Sequence, residues 1–276
     1  MRNILVGYDG SRGSATALRQ TIPLAEALQS RVRIVQAVEP VSPQDMVRMD
    51  EGPDPVTVVD RVEAMRSREE VDEGPLPSDP DLDAAARIVE NAGITCSLQT
   101  RSGMATRVLP EQAIAMDMLV LGRHGTLRRS AVGRTAASII YHPTVPTLLC
   151  QEEPLPLHRL LLVYEPTPSG GRALRVAGEL ASELNVTLDV AVPDTDRRRG
   201  EENLAYVSSA LRAYHVEGER VRFNGALPEA VSEMALDMGS SMVVLGDGHS
   251  CLWPWSKPAN IRAAVQVPGA LSLVVP

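Results

Sequence analysis

Asp117-Met118-Leu119-Val120-Leu121-Gly122-Arg123-His124-Gly125 decides the fold class of this chain. Met118 to Leu121 are apolar without interruption, as in a strand buried on both faces. The run passes directly into Gly122-Arg123-His124-Gly125. A further glycine opens Gly133-Arg134-Thr135-Ala136-Ala137-Ser138, a segment with helical patterning. Strand, glycine loop and helix start form a natural anion site. Glycines let backbone amides approach a phosphate, and the helix dipole favours negative charge there. The arrangement predicts a phosphate or nucleotide ligand held without a catalytic lysine.

The same order of elements occurs twice. Ile4-Leu5-Val6-Gly7-Tyr8-Asp9-Gly10-Ser11 precedes a helix containing Ala17-Leu18-Arg19, Ala25 and Leu28. Leu160-Leu161-Leu162-Val163-Tyr164-Glu165-Pro166-Thr167 precedes one containing Ala173-Leu174-Arg175, Ala181 and Leu184, at one constant offset. Met118-Leu119-Val120-Leu121-Gly122 has its counterpart in Met242-Val243-Val244-Leu245-Gly246. Val145-Pro146 and Val267-Pro268 each lead into a closing apolar strand. Continuous apolar strands alternating with amphipathic helices predict an α/β fold. Its form is two tandem repeats, each a five-stranded mostly parallel sheet with helices on both faces. The halves are read as 1–150 and 158–276, joined by a linker over 151–157. The two closing strands are expected to pair with each other, because each would otherwise be an unprotected edge.

In the first half the patterning predicts helices over Gly13–Gln29, Asp83–Asn91, Ala105–Met116 and Thr135–Tyr141, and a strand over Val32–Val38. Glu39 to Pro80, rich in Asp, Glu and Pro, reads as a long excursion with one helix near Val56–Met65. Asp194 to Glu202, with Arg197-Arg198-Arg199, reads as a solvated loop.

Composition removes several classes of function. Aromatic residues are only 3% and the net charge is −8, which argues against nucleic-acid binding by stacking or by a basic surface. Lys257 is the sole lysine, so a P-loop or Schiff-base lysine in the first half is excluded. Cys96, Cys150 and Cys251 are far apart and show no paired spacing, as in a reducing compartment. No run approaches membrane-spanning length and the N-terminus enters a strand at once, so the expected location is cytoplasmic with no membrane role. The histidines lack metal-ligand spacing.

The motifs Ile4-Leu5-Val6-x-x-Asp9-Gly10-Ser11, Asp117 through Gly122-x-x-Gly125, and Gly133 through His142-x-x-Val145-Pro146 resemble the universal stress protein family in its tandem two-domain form. The resemblance covers residues 1–150 closely and 158–276 more weakly. It implies the adenine-nucleotide α-hydrolase-like, Rossmann-like fold and, in some members, ATP or AMP bound by Gly-x-x-Gly, nine residues, then Gly-Ser/Thr. A magnesium ion would accompany ATP. This chain has seven residues between Gly125 and Gly133, and Arg134 stands where Ser or Thr is expected, with Thr135 one position later. The second half carries Gly246-Asp247-Gly248-His249 in place of the motif and Glu165-Pro166 in place of Asp9-Gly10.

The resemblance selects Asp9, Gly10, Ala37, Gly103, Gly122, His124, Gly125, Gly133, Arg134 and Thr135 as ligand-binding residues of the first half. Asp9 reads either as an acceptor for ribose or adenine or as an Asx-turn aspartate with Gly10 and Ser11. Gly103 reads as the ribose edge or as a turn glycine. His124 reads as a phosphate contact or a proton-transfer group, and as a lone histidine without a paired acid or nucleophile it is not assigned a catalytic role. Arg128 and Arg129 read as a phosphate clamp or as solvated residues, Trp253 and Trp255 as packing or a contact surface. No catalytic or metal-binding residue is assigned. The functional expectation is a stress-response protein that binds adenine nucleotide in its first half, with a regulatory role and at most slow ATP hydrolysis. The second half serves as an intrachain pseudo-dimer partner, and a protein partner or further homodimer is compatible. The alternative is a nucleotide-free interaction protein with a vestigial loop.

Overall fold

In β1 (Asn3–Gly7), Ile4 and Val6 enter one apolar layer and Leu5 enters the other, all fully buried. In a strand, alternate side chains face opposite sides, so this burial requires a cover on each side of the sheet. A computed structural model describes residues 1–39, 80–124, 132–194, 197–248 and 259–276 and supplies both covers. The helix expected near Val56–Met65, together with Gly125, Arg128, Arg129, Trp253 and Trp255, lies outside the described residues.

The first half continues with α1 (Arg12–Ala27), β2 (Arg31–Val38), α2 (Pro80–Asn91), β3 (Cys96–Ser102), α3 (Ala105–Ala113), β4 (Met118–Gly122), α4 (Arg134–Tyr141) and β5 (Thr147–Cys150). The second runs β6 (Arg159–Val163), α5 (Pro168–Leu184), β7 (Thr187–Pro193), α6 (Arg197–Leu211), β8 (Arg220–Phe223), α7 (Leu227–Asp237), β9 (Met242–Gly246), α8 (Ala259–Gln266) and β10 (Leu271–Val275). The strands form one ten-stranded sheet in the order β3-β2-β1-β4-β5-β10-β9-β6-β7-β8. Every pairing inside a half is parallel. The expected pairing of the closing strands is present and antiparallel, with Ser272 opposite Leu149, Leu273 opposite Leu148 and Val274 opposite Thr147.

Helices α1, α2, α5 and α6 cover one face, and α3, α4, α7 and α8 the other. Each apolar layer runs unbroken from the first half into the second. α1 touches α5 and α4 touches α8 across the junction.

Two sequence expectations need correction. Residues 197–202 form the start of α6 instead of a loop. Their helical signal is weak because few apolar side chains mark a buried face. The Arg198–Glu202 pair at 2.9 Å, one turn apart, supports the exposed side. The third helix ends at Ala113, with Ile114 as its cap, short of Met116.

The connection between the halves is fastened to α1. Gln20, fully buried, donates from Nε2 to the Leu155 carbonyl at 2.9 Å and accepts from the Leu155 N–H at 2.6 Å. The Thr16 hydroxyl donates to the Glu152 carbonyl at 3.0 Å. These contacts supply partners for the buried polar side chains of Gln20 and Thr16. Replacing Gln20 by Ala removes both bonds and is expected to cost about 1–3 kcal/mol of unfolding free energy. Urea denaturation measures this, and a change below about 0.5 kcal/mol would show that the tether contributes little beyond an ordinary surface position.

Candidate functional site

In each half the chain moves outward from the first strand to the third and then returns to the other side of the first. The reversal leaves a crevice between β1 and β4, at the carboxyl ends of the strands, where open α/β sheets bind ligands. A cavity of about 570 Å³ lies there in the first half. That size is within the ~300–1,000 Å³ range of small-molecule sites.

Two glycines make the crevice. A Cβ on Gly13, in the first turn of α1, would lie 1.9 Å from the His124 carbonyl oxygen, and a Cβ on Gly122 would lie 2.4 Å from the backbone of Gly13. The helix therefore meets the end of β4 backbone against backbone. Gly122 was selected from the sequence and Gly13 was not. Its only signal was a small residue just inside a helix start.

The turn after β1 is built from its own side chains. Asp9 Oδ1 accepts from the Ser11 N–H at 3.0 Å, and Gly10 takes φ +73°, a left-handed conformation suited to glycine. Ser11 caps α1 by accepting from the Ser14 N–H at 3.2 Å. Both readings of Asp9 are thus compatible in space: it closes an Asx turn and also lines the cavity.

Of the residues selected from the sequence, Asp9, Ala37, Gly122, His124, Gly133, Arg134 and Thr135 share the wall of this one cavity. Gly10 and Gly103 do not. Gly103 adopts φ +130° and donates its N–H to the Val38 carbonyl at 2.9 Å, so it serves the turn from β3 into α3. Gly125 lies outside the described residues. Apolar wall is supplied by Val35, Leu109 and Leu121.

The base of the glycine loop is closed by the Gly133 N–H donating to the Arg123 carbonyl at 2.7 Å. Gly133 is the N-cap of α4 and has no side chain with which to cap it. The first-turn residues Arg134, Thr135 and Ala136 line the cavity, so the positive end of the helix dipole is presented there.

Arg123, a spacer of the motif, points elsewhere. Its Nη2 donates to the Val265 carbonyl of α8 at 2.6 Å and its Nη1 to Gln151 Oε1 at 3.3 Å. Burial lowers its pKa from the usual guanidinium value. Gln151 continues the bridge by donating to the carbonyls of Val267 and Ala270.

His124 does have an acidic neighbour, contrary to the reading of it as isolated. Its Nε2 lies 3.8 Å from Glu152 Oε1. Glu152 is 28 positions away in sequence and is brought close by the course of the connecting segment, so no local motif could announce it.

At the matching place in the second half a buried side chain bonds to both strand ends. Asn260, nearly fully buried at the start of α8, donates from Nδ2 to Glu165 Oε2 at 2.7 Å and to the Gly246 carbonyl at 3.0 Å. Glu165 is the repeat counterpart of Asp9, and Gly246 that of Gly122. Gly248 takes φ +66°, and a Cβ there would lie 2.9 Å from the Asn260 carboxamide. The side chain of Asn260 thus occupies the carboxylate and carbonyl that the first half leaves facing its cavity.

Among the described residues no group of three or more His, Cys, Asp and Glu side chains is arranged to hold a metal ion. Among them too, no helix is long and apolar enough to cross a membrane.

Comparison with known proteins agrees with this architecture. No curated protein matches the chain. Among solved structures, a universal stress protein from Archaeoglobus fulgidus DSM 4304 superposes with a TM-score of 0.72 at 14% identity, covering 99% of this chain and 95% of that one. A functionally unknown protein from Pseudomonas aeruginosa PAO1 superposes with a TM-score of 0.62 at 13% identity, covering 100% and 92%. At such identities the likeness is one of fold. The model of the universal stress protein family matches residues 1–151, more than half of the sequence, with the motifs and crevice described above. This chain belongs to the universal stress protein family.

Proposed function

We propose that the protein binds an adenine nucleotide in the cavity of its first half and acts through that binding, in a regulatory role, and not through rapid turnover. The observation that carries the reading is the convergence of Asp9, Ala37, Gly122, His124, Gly133, Arg134 and Thr135 on one cavity at the strand-order reversal. The residues fit the ligand chemically. The α4 N-terminus, the Thr135 hydroxyl and the Arg134 guanidinium suit a phosphate. The Asp9 carboxylate is an acceptor for ribose hydroxyls, and the apolar wall with the Ala37 backbone suits a purine. ATP and AMP both meet this description, and a magnesium ion would belong with ATP.

The same reading assigns no nucleotide to the second half. Asn260 already donates to the carboxylate and the carbonyl that correspond to those of Asp9 and Gly122. The second half contributes instead the pairing strand β10 and the Val265 carbonyl that holds Arg123.

Two substitutions test the division of roles. Arg134→Ala is expected to weaken ATP by about ten- to a hundredfold, roughly 1.5–3 kcal/mol, through loss of a charge-assisted contact. Adenosine, without a phosphate, should bind as before, and the ATP loss should shrink at high salt. Indistinguishable ATP affinities in parallel calorimetric titrations would remove Arg134 from the site. Asn260→Ala is expected to behave in the opposite way. It should cost about 1–3 kcal/mol of stability from two buried hydrogen bonds and leave ATP affinity within about twofold. A nucleotide released on denaturing the purified protein, identified by ion-pair chromatography, would support the reading directly. No release and no affinity for any adenine nucleotide would overturn it.

A further inference from the structure

Arg123 stands where three parts of the molecule join. Its neighbours Gly122 and His124 line the first-half cavity. Its carbonyl accepts from the N–H of Gly133, the N-cap of α4, at 2.7 Å. Its side chain turns to the second half, where Nη2 donates to the Val265 carbonyl at 2.6 Å. We propose that Arg123 is a positioning residue of the first-half site: by bonding to the second half, its guanidinium fixes the backbone at the two ends of the glycine loop. The second half thereby completes a site that belongs to the first. The inference rests on the nucleotide reading of that site.

Three observations carry it. First, Gly122 and Gly133 have no side chains with which to hold the loop ends, and α4 starts without a side-chain cap. Glycine loses more backbone freedom on ordering than any other residue, so a fixed glycine loop draws on holds from outside it. Ser11 and the backbone of Gly13 meet the His124 carbonyl from α1, and Arg123 adds a hold from the second half. Second, that hold ends on fixed groups. Val265 lies in the last turn of α8, where carbonyls lack intrahelical partners and the helix dipole favours a cation. Gln151 Oε1 accepts from Nη1 at 3.3 Å, and its Nε2 donates to the Val267 and Ala270 carbonyls, so this acceptor too is fastened to the second half. Third, the bridge runs one way. The repeat counterpart of Arg123 is Asp247, beside Gly246. A carboxylate has no N–H to give a carbonyl, and the Asp247 backbone N–H donates within its own half, to Val275 at 2.8 Å.

The direction of the effect follows from when the loop is ordered. With the guanidinium bonded, the loop ends are fixed before a ligand arrives, and a phosphate meets amides that already point at it. Without those bonds the ordering falls on the binding step and weakens it. Adenosine has no phosphate and draws little on the loop. Arg123 acts through the backbone, since its Nη atoms bond to Val265 and Gln151. The Gly133 amide reports the order of the loop ends directly, because it donates to the Arg123 carbonyl.

Two measurements on the full chain and on Arg123→Met test the proposal: calorimetric titration of adenosine and ATP, and hydrogen exchange of the Gly133 amide by NMR without ligand. Methionine keeps an apolar stem and removes every donor. The variant is expected to bind ATP about tenfold more weakly, the scale of one hydrogen bond to a charged group, and adenosine within about twofold. Its Gly133 amide should exchange about tenfold faster while the amides of β1 and β4 keep their protection, which marks a local change. Arg123→Lys keeps the charge and one donor group, and should recover part of both losses. If the methionine variant does not fold, the lysine variant decides alone, with ATP about threefold weaker and Gly133 exchange faster than in the unaltered chain. Unchanged Gly133 exchange overturns the proposal, since any ATP loss would then be an effect of charge through space. Faster exchange with unchanged ATP affinity overturns it as well, as do equal losses for adenosine and ATP. If the unaltered chain binds neither ligand, the nucleotide reading itself fails and takes this inference with it. Binding by the unaltered chain with no ATP-selective loss in the variant overturns the inference alone.

Discussion

Three residues of β10 stand opposite three of β5, running antiparallel, and the rest of the molecule depends on that ladder. Each half by itself is a parallel sheet whose fifth strand would expose a row of unpaired amides and carbonyls. Joining the fifth strands removes both edges at once and makes the two apolar layers continuous. It also sets the halves in opposite strand directions, which brings α1 beside α5 and α4 beside α8. The carbonyl of Val265 thereby comes within reach of Arg123, and the connecting segment is led back across α1.

Backbone contact between Gly13 and Gly122 shapes the cavity within this frame. Any side chain at either position would force α1 away from the end of β4. Close approach in turn places the Ser11–Ser14 cap, the Asp9 turn and the first residues of α4 around one space. The same frame exists in the second half, with a different filling. There Asn260 donates to Glu165 and Gly246, and the buried polar groups are satisfied internally. A buried polar group without a partner costs about 1–3 kcal/mol, so these two bonds stabilise the second half. The first half has an open cavity between its strand ends, and among the described residues of the second half Asn260 bridges the corresponding strand ends.

Much of the architecture was legible without coordinates because it depends on local periodicity. Uninterrupted apolar runs at Ile4–Val6, Met118–Leu121, Leu160–Val163 and Met242–Leu245 mark strands covered on both faces, and each lies in the sheet. The exception among the helices is instructive. α6 starts inside an arginine run whose side chains mark no buried stripe, so it read as a loop. In the site, seven of the ten residues that the family resemblance selects line one cavity, at strand ends and at a helix start. Gly10 and Gly103, also selected by the resemblance, take positive φ in turns, and for Gly103 this is the turn-glycine reading.

By itself, the sequence determined the element order, the doubled pattern, the burial of the strands on both faces and the place where β1, β4 and α4 would meet. Those depend on spacing between near neighbours, which a chain carries wherever it folds. The tertiary structure alone decided which residues act across long separations. Examples are Glu152 beside His124, Arg123 bonded to Val265, Gln20 bonded to Leu155 and Asn260 bonded to Glu165. None of these pairs has a characteristic spacing. Each exists because sheet closure brings distant backbone segments together, and a buried polar group there must bond to whatever partner arrives.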